Sequence, residues 1–396
     1  MRSIPIGDCV RPVKTWSPSR GADDDEFVYV DISAIDQDSK QITNARAVRA
    51  VEAPSRARQL VEVGDVLVST VRPNLNGVAR VSADYHGATA STGFCVLRPD
   101  NNKLCCNYLF HWVKTSAFVY DMVSKATGAS YPAVSDRIVV ESPIPLPPLP
   151  EQRRIAAILD QADALRAKRR EALAQLDSLK QSIFIEMFGD SKARAWPIET
   201  VGACAAISEG SIRTGPFGSQ LLHSEFVDAG VAVLGIDNAV ANEFRWGGRR
   251  YISEAKYREL RRYTVLPGDV LITIMGTCGR CAVVPENVPL AINTKHLCCI
   301  TLDTSKCLPD YLHAYFLTHP LAQSYLSQTS KGAIMDGLNM GIIKAMPLLV
   351  PPIRLQQTYV TRLQALQALV SVQRAALSDS NALFASLQHR AFSGEL

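Results

Sequence analysis

"SPIPLPPLPEQRRIAAILDQADALRAKRREALAQLDSL", Ser142–Leu179, drops from a proline-rich entry straight into a long charged helix in the middle of the chain. Pro147, Pro148 and Pro150 cannot continue a strand ladder, yet proline is well placed before or inside the first turn of a helix. Glu151 then meets the positive end of the helix dipole. From Ile155 an apolar stripe runs Ile155, Ile158, Ala162, Leu165, Arg169, Ala172, Leu176, Leu179, Ile183. Its steps alternate three and four, a heptad seam with one polar interruption at Arg169. A helix over residues 151–188 would be about 57 Å long. That is too long, with too narrow an apolar stripe, for a simple core helix, and it predicts a partner helix.

The partner is written later in the same chain, in "MPLLVPPIRLQQTYVTRLQALQALV", Met346–Val370. Pro147 and Gln152 return as Pro351 and Gln356, each 204 positions on. The same offset joins "VEVGDVLVST" (Val61–Thr70) to "VLPGDVLITI" (Val265–Ile274), and "YVDISAID" (Tyr29–Asp36) to "VLGIDNAV" (Val233–Val240). "TGA" at Thr127–Ala129 answers "KGA" at Lys331–Ala333, and "SIFIEMF" ending at Phe188 answers "SLQHRAF" ending at Phe392. So long a period excludes a solenoid and predicts two copies of one unit related by a pseudo-twofold. The second helix carries Leu363, Leu366, Leu369, Val370, Leu377, Leu383 and Leu387, with Gln373 opposite Arg169 in the repeat alignment. A polar residue at that position in both helices would set register. An antiparallel coiled coil within the chain is expected; a coiled coil with another chain is the alternative.

Each copy opens with a mixed pattern. "GDVLVST" and "GDVLITI" are short β-branched runs entered from a turn, hence strands. Lys103–Val123 and Cys307–Leu326 show helical spacing with aromatic residues on one face, read as helix core rather than a base-stacking platform. Polar, glycine-bearing loops follow, "SKATGASYPAVS" and "SQTSKGAIMDGLN". The expected fold is therefore α/β (α+β) domains in tandem, joined by two long helices. The expected divisions are 1–150, a helical spacer at 151–190, 191–350, and a second spacer at 351–396.

Composition narrows the function. A 47% hydrophobic and 20% charged chain reads as globular rather than disordered. No stretch approaches about 20 apolar residues, so no membrane span is expected. The N-terminus lacks the apolar core of a signal peptide, and the cytoplasm is the expected location. There the ten cysteines would stay reduced. Cys278 and Cys281 have CxxC spacing, but the adjacent Cys298 and Cys299 suit a tetrahedral second pair poorly, and no metal site is expected. The net charge of +4 comes without a polybasic block, so any nucleic-acid surface must be assembled by the fold.

The entry "PLPPLPEQRRIAAIL", the central "IEMFGD" (Ile185–Asp190), "IRTGPFGSQL" (Ile212–Leu221), the paired "GDVL" strands and the terminal "LFASLQHRAFSGEL" together resemble the specificity subunit of type I restriction–modification systems. The resemblance covers essentially the whole chain. It implies two target-recognition domains, each reading half of a bipartite double-stranded DNA site, and helical spacers that dock two DNA methyltransferase (modification) subunits. Restriction/translocase subunits can join such an assembly. It implies no cofactor in this chain: S-adenosylmethionine, ATP and Mg belong to the partners, and so does catalysis. The residues agree, since the sequence has no G-x-x-x-x-G-K-[ST] loop, no G-x-G-x-x-G after a strand and no His-x-Glu with Pro-Cys-x-x-Cys. A coiled-coil scaffold with two protein-binding domains and no DNA role is the rival reading.

Base edges are read by Arg, Lys, Asn and Gln, and phosphates are held by Ser, Thr and Lys. The DNA-binding candidates in the first copy are Arg72, Asn74 and Asn76 in "VRPNLNG", with Lys125, Thr127 and Ser130. In the second they are Arg213, Ser219 and Gln220, then Arg280, Lys331 and Asn339. Arg249, Arg250, Arg258, Arg261 and Arg262 form a denser run, either a phosphate track or a solvated face. The loops of the two copies differ, so two different half-sites are expected.

Overall fold

The computed structural model describes residues 2–18, 25–189, 196–330 and 337–396. They form two compact units, Met1–Ala172 with Gln373–Leu396, and Leu173–Val372. Helices α1 (Cys106–Val113), α2 (Ser116–Lys125) and α3 (Asp136–Glu141) precede the long α4 (Leu149–Phe188). α5 (Glu254–Leu260), α6 (Pro309–Thr318), α7 (Pro320–Ser330) and α8 (Met340–Ala345) precede the long α9 (Ile353–Ser393). The division between units falls inside α4 and α9, not at the helix starts that the sequence pattern marks. Each unit thus owns a stretch of both long helices.

Both units are built the same way. In the first, Val66–Ser69 lies between Phe94–Pro99 and Val78–Arg80, while Thr89–Ser91 pairs parallel with Glu26–Val30. In the second, Val270–Thr273 lies between Leu297–Ile300 and Cys281–Val283, while Ala291–Asn293 pairs parallel with Val231–Leu234. The Gly-Asp entry to each central strand has a physical cause. Gly64 and Gly268 take φ of +89° and +79°, a conformation only glycine adopts cheaply. Asp65 and Asp269 then accept the backbone N–H three residues back, from Glu62 and Leu266, each at 2.8 Å. Both carboxylates are buried, and each unit neutralises its own by a different route. Arg98 on Phe94–Pro99 pairs with Asp65 at 2.8 Å, and Arg213 on Ile212–Thr214 pairs with Asp269 at 2.5 Å.

Gln152 and Gln356 explain the proline-to-helix junctions. The Gln152 side chain accepts from Cys105 N at 2.9 Å and donates to the carbonyls of Lys103 and Pro147. Gln356 repeats this with Leu308 N and the carbonyls of Lys306 and Pro351. One buried amide thus ties the start of each long helix to the start of α1 or α6. Gln356→Ala removes a buried amide from three backbone partners and should cost unit 2 about 1–3 kcal/mol. Faster hydrogen exchange at Leu308 would report it, and unchanged protection there would contradict the lock.

In unit 1, α4 and α9 run antiparallel. Arg154 donates to Leu396 O at 2.7 Å, Arg166 to Asn381 Oδ1 at 2.8 Å, and Arg169 to Gln373 Oε1 at 3.5 Å. The seam needs a correction at alternate positions. Leu165, Leu179, Leu369 and Leu383 are exposed. One position further on, Arg166 and Lys180 are better covered, and Val370 and Phe384 are buried. Leu159, rather than the half-buried Ile158, enters the core of unit 1 beside Ile155. Ala162, Leu387 and, in unit 2, Ile183 are half-buried against the cores, Leu176 is half-buried, and Leu366 is buried. The cause is that a three-four stripe through Ile155 and Ala162 accommodates either residue 158 or residue 159. Periodicity does not choose between them, and docking of the globular domain selects the second. Arg and Lys stems can cover apolar surface there while their heads reach polar partners.

The helical aromatics form the cores: Tyr108 and Trp112 in unit 1, Tyr311, Tyr315 and Phe316 in unit 2. Aromatic rings attach the globular part to the long helices in both units, and unit 1 adds polar and charged contacts. In unit 1, His111 hydrogen-bonds Asp160 and Lys114 pairs with Asp163, both at 2.8 Å, and the Arg166 guanidinium lies 4.3 Å over Phe384. Burial holds His111 below its ordinary pKa. Rings serve both units: Phe188 lies 4.9 Å from Tyr311 and 5.5 Å from Tyr359 in unit 2, and its repeat counterpart Phe392 lies 5.0 Å from Tyr108 and 5.1 Å from Trp112 in unit 1.

Candidate nucleic-acid interface

In unit 1 the candidate loops converge on one exposed surface. Arg72 sits in the left-handed region at φ 51° and donates its backbone N–H to Pro132 O at 2.7 Å. That bond ties "VRPNLNG" to the turn Thr127–Ala133, whose ends bond each other at 2.9 Å both ways. Gly128, at φ +100°, permits the turn, because a Cβ there would lie 2.9 Å from Tyr131 O. The Arg72 guanidinium lies 4.8 Å over the Tyr131 ring, and Tyr131 is 69% exposed. Asn74, Thr127 and Ser130 are exposed on these loops. α2 packs beside Pro73–Leu75 and adds Tyr120, 76% exposed, and Lys125, which is paired with Asp121 at 2.7 Å. Exposed tyrosines, an arginine over the ring of Tyr131, and exposed hydroxyl and amide groups on the same loops suit a polyanion presenting planar rings. Sequence reasoning misses Tyr120 and Tyr131; the signal for Tyr131 is an aromatic residue inside the glycine-bearing loop itself.

Asn76 is withdrawn from the candidates. Its side chain donates to Val113 O at 2.9 Å, and its own carbonyl accepts from Lys40. It shapes the loop rather than facing outward.

Unit 2 removes more. Arg213 is a structural cation: its guanidinium is bonded to Asp269, Thr264 O, Gly210 O and Thr301, leaving nothing for a base. Its loop neighbours in the sequence suggest exposure, whereas it serves the Gly-Asp turn that Arg98 serves in unit 1. Gln220 Oε1 accepts from Phe217 N and from the Tyr263 hydroxyl, so its oxygen is used internally. Asn339 caps α8, accepting from Ile342 N at 2.9 Å. Ser219 and Arg280 are exposed, and Lys331 lies outside the described residues. Of the arginine run, Arg249, Arg258 and Arg261 are exposed, Arg262 stacks 4.8 Å over Tyr263, and Arg250 pairs with Asp237. Burial, then the charges of Lys295 and Arg250, hold the nearby His296 below its ordinary pKa.

Cys281 and Cys298 sit on opposite sides of the central strand, both in register with Ile272. Burial pushes the Cys298 thiol up to about 12, so it stays protonated in the core. Among the described residues no helix is long and apolar enough to cross a membrane.

Two stretches, residues 59–175 and 251–377, match the type I restriction modification DNA specificity domain. They fall in the two repeats. Among curated proteins, the chain is 31% identical to the EcoDI specificity subunit of Escherichia coli over 34% of this chain and 30% of that one. It is 25% identical to the EcoBI specificity subunit of Escherichia coli, over 66% of this chain and 60% of that one. Thus these two matches span less than two thirds of the relatives' own length. With the EcoKI specificity subunit of Escherichia coli (strain K12), 25% identity extends over 85% of this chain and 76% of that one. Among solved structures, a chain from work on complex assembly and conformational transition of the type I restriction–modification system aligns over 100% of this chain and 98% of that one. Its TM-score is 0.62 at 24% identity. A type I restriction–modification S subunit from M. genitalium aligns over 99% and 96%, with a TM-score of 0.57 at 12% identity. These two support the fold.

Proposed function

The chain belongs to the type I restriction–modification DNA specificity family, and we propose that it supplies the sequence specificity of a complex whose chemistry is done by other subunits. In this reading each unit recognises one half of an asymmetric, bipartite double-stranded DNA site, and the long helices dock two methyltransferase subunits, with room for restriction/translocase subunits. S-adenosylmethionine, ATP and Mg are then bound by the partners. This chain is a non-catalytic, DNA-binding one.

The observation that carries the reading is one fold used twice with different outward chemistry. The buried parts repeat at an offset of 203 or 204: the Gly-Asp turns, the parallel strand pairs and the two glutamine locks. The exposed parts do not: Arg72 on Tyr131 in one copy, the loop of Arg280 and the pair Arg250–Asp237 in the other. Loops that vary on a constant scaffold are where recognition is placed. A family match in both copies supports the same conclusion.

The test is sequence-specific DNA binding by the full chain mixed with its methyltransferase subunit. Binding that depends on two separated base clusters is expected. Failure to prefer any sequence would favour the scaffold reading, and S-adenosylmethionine binding by the isolated chain would favour an enzyme.

A further inference from the structure

Unit 2 contains a recess of about 720 Å³ walled by His223, Phe226, Ile236 and Val240, with Thr294 and His296 beside it. Two charges meet in it. Arg250 donates through Nη2 to Asp237 Oδ1, while both side chains remain partly open, 40% and 34% exposed. Only one of the two bonds that an arginine–carboxylate fork can make is formed. Among the described residues, Asp237 Oδ2, Arg250 Nε and Thr294 Oγ1 are buried atoms without a hydrogen-bond partner.

The site is fitted to this pair. A Cβ on Gly235 would lie 2.5 Å from Arg250 Nη2, and one on Gly247 would lie 2.0 Å from Asp237 Oδ2. At the repeat offset these glycines correspond to Asp31 and Thr43 of the first copy. Arg250 itself is duplicated: its carbonyl accepts from Val233 N, as Arg46 stands opposite Tyr29 in unit 1. There the guanidinium lies 5.8 Å over the Tyr29 ring, and the position of Asp237 holds Ser33. An arginine common to both copies thus gains a carboxylate partner and two glycines in the second alone. The recess also adjoins the candidate loop of Arg280, since a Cβ on Gly276 would lie 3.0 Å from Ile236 Cδ1.

Building on the DNA-recognition reading above, we propose that Arg250 and Asp237 together read one G·C base pair of the second half-site. In the major groove a G·C pair presents N7 and O6 of guanine, two acceptors, followed by the N4 amino donor of cytosine. A guanidinium beside a carboxylate presents donor, donor, acceptor, the complementary order. An A·T pair offers acceptor, donor, acceptor and then a methyl group, which this order does not match. Asp237 has a double role, orienting the fork of Arg250 and accepting from cytosine. The apolar walls raise the cost of leaving either charge facing the wrong base.

The experiment uses the full chain assembled with its methyltransferase subunit, and maps N6-methyladenine at base resolution for wild type, Arg250→Ala, Arg250→Lys and Asp237→Asn. Wild type should specify a G·C pair in one half-site. All three variants should lose about 10- to 100-fold discrimination at that position alone, with the other half-site unchanged. Lysine keeps the charge but lacks the planar fork, so its failure separates readout from charge. Asp237→Asn is nearly isosteric and keeps the test decisive should Arg250→Ala fold poorly. An unchanged motif in all variants overturns the inference. So does a uniform loss of methylation with intact base preference, the signature of a phosphate contact. Either result leaves the DNA-recognition reading standing, whereas a wild-type complex that prefers no sequence defeats that reading itself.

Discussion

Asp269→Ala lowers the stability of unit 2 by about 3–5 kcal/mol. Asp269 is fully buried and accepts from Leu266 N at 2.8 Å, Thr301 Oγ1 at 2.6 Å and Arg213 Nη2 at 2.5 Å. Alanine leaves the Arg213 charge buried with no counter-charge beside it and opens the turn that enters the central strand. Removing both partners removes the uncompensated charge, so Asp269→Ala with Arg213→Met should recover a large part of the loss. Differential scanning calorimetry is the suitable check, because a chain of two units need not melt in one step. One transition should move down while the other holds. Equal shifts in both, or a double variant no better than the single, would contradict the account.

Lengthening the paired helices by seven residues after Arg170 and seven after Val372 should lengthen the spacer of the DNA site and leave both half-sites intact. Seven residues preserve the heptad phase, whereas four would rotate the seam. They add about 10 Å of helix, close to three base pairs at about 3.4 Å each. α4 is one continuous helix whose first part belongs to unit 1 and whose last part belongs to unit 2. An insertion at the boundary therefore lengthens the path between units without touching either globular core. A methylated motif of unchanged spacing would rule out the helices as a ruler.

What can be read in advance follows from how strongly each feature is constrained. The repeat is legible because buried machinery tolerates little variation: Gly64 and Gly268 need positive φ, and Gln152 and Gln356 must each satisfy three backbone groups. The seam is legible only to within one residue, because a stripe through Ile158 and a stripe through Leu159 share their flanking positions, Ile155 and Ala162. The choice is made by what docks from the side, which no periodicity encodes. Site residues are least legible. Arg213 and Asn76 neighbour glycines in the sequence as loop residues do, but their partners, Asp269 and Val113 O, lie 56 and 37 positions away. Arg250 is visible within a basic run, yet its distinctive feature, the carboxylate of Asp237, requires the strand pairing that brings Arg250 beside Val233.

The central claim, that each unit reads its own half of the site, is tested most directly by exchanging residues 191–350 for the corresponding domain of another specificity subunit and mapping N6-methyladenine at base resolution. The account predicts that one half-site changes to the donor's and the other stays as in wild type. A change in both half-sites, or in neither, would contradict it.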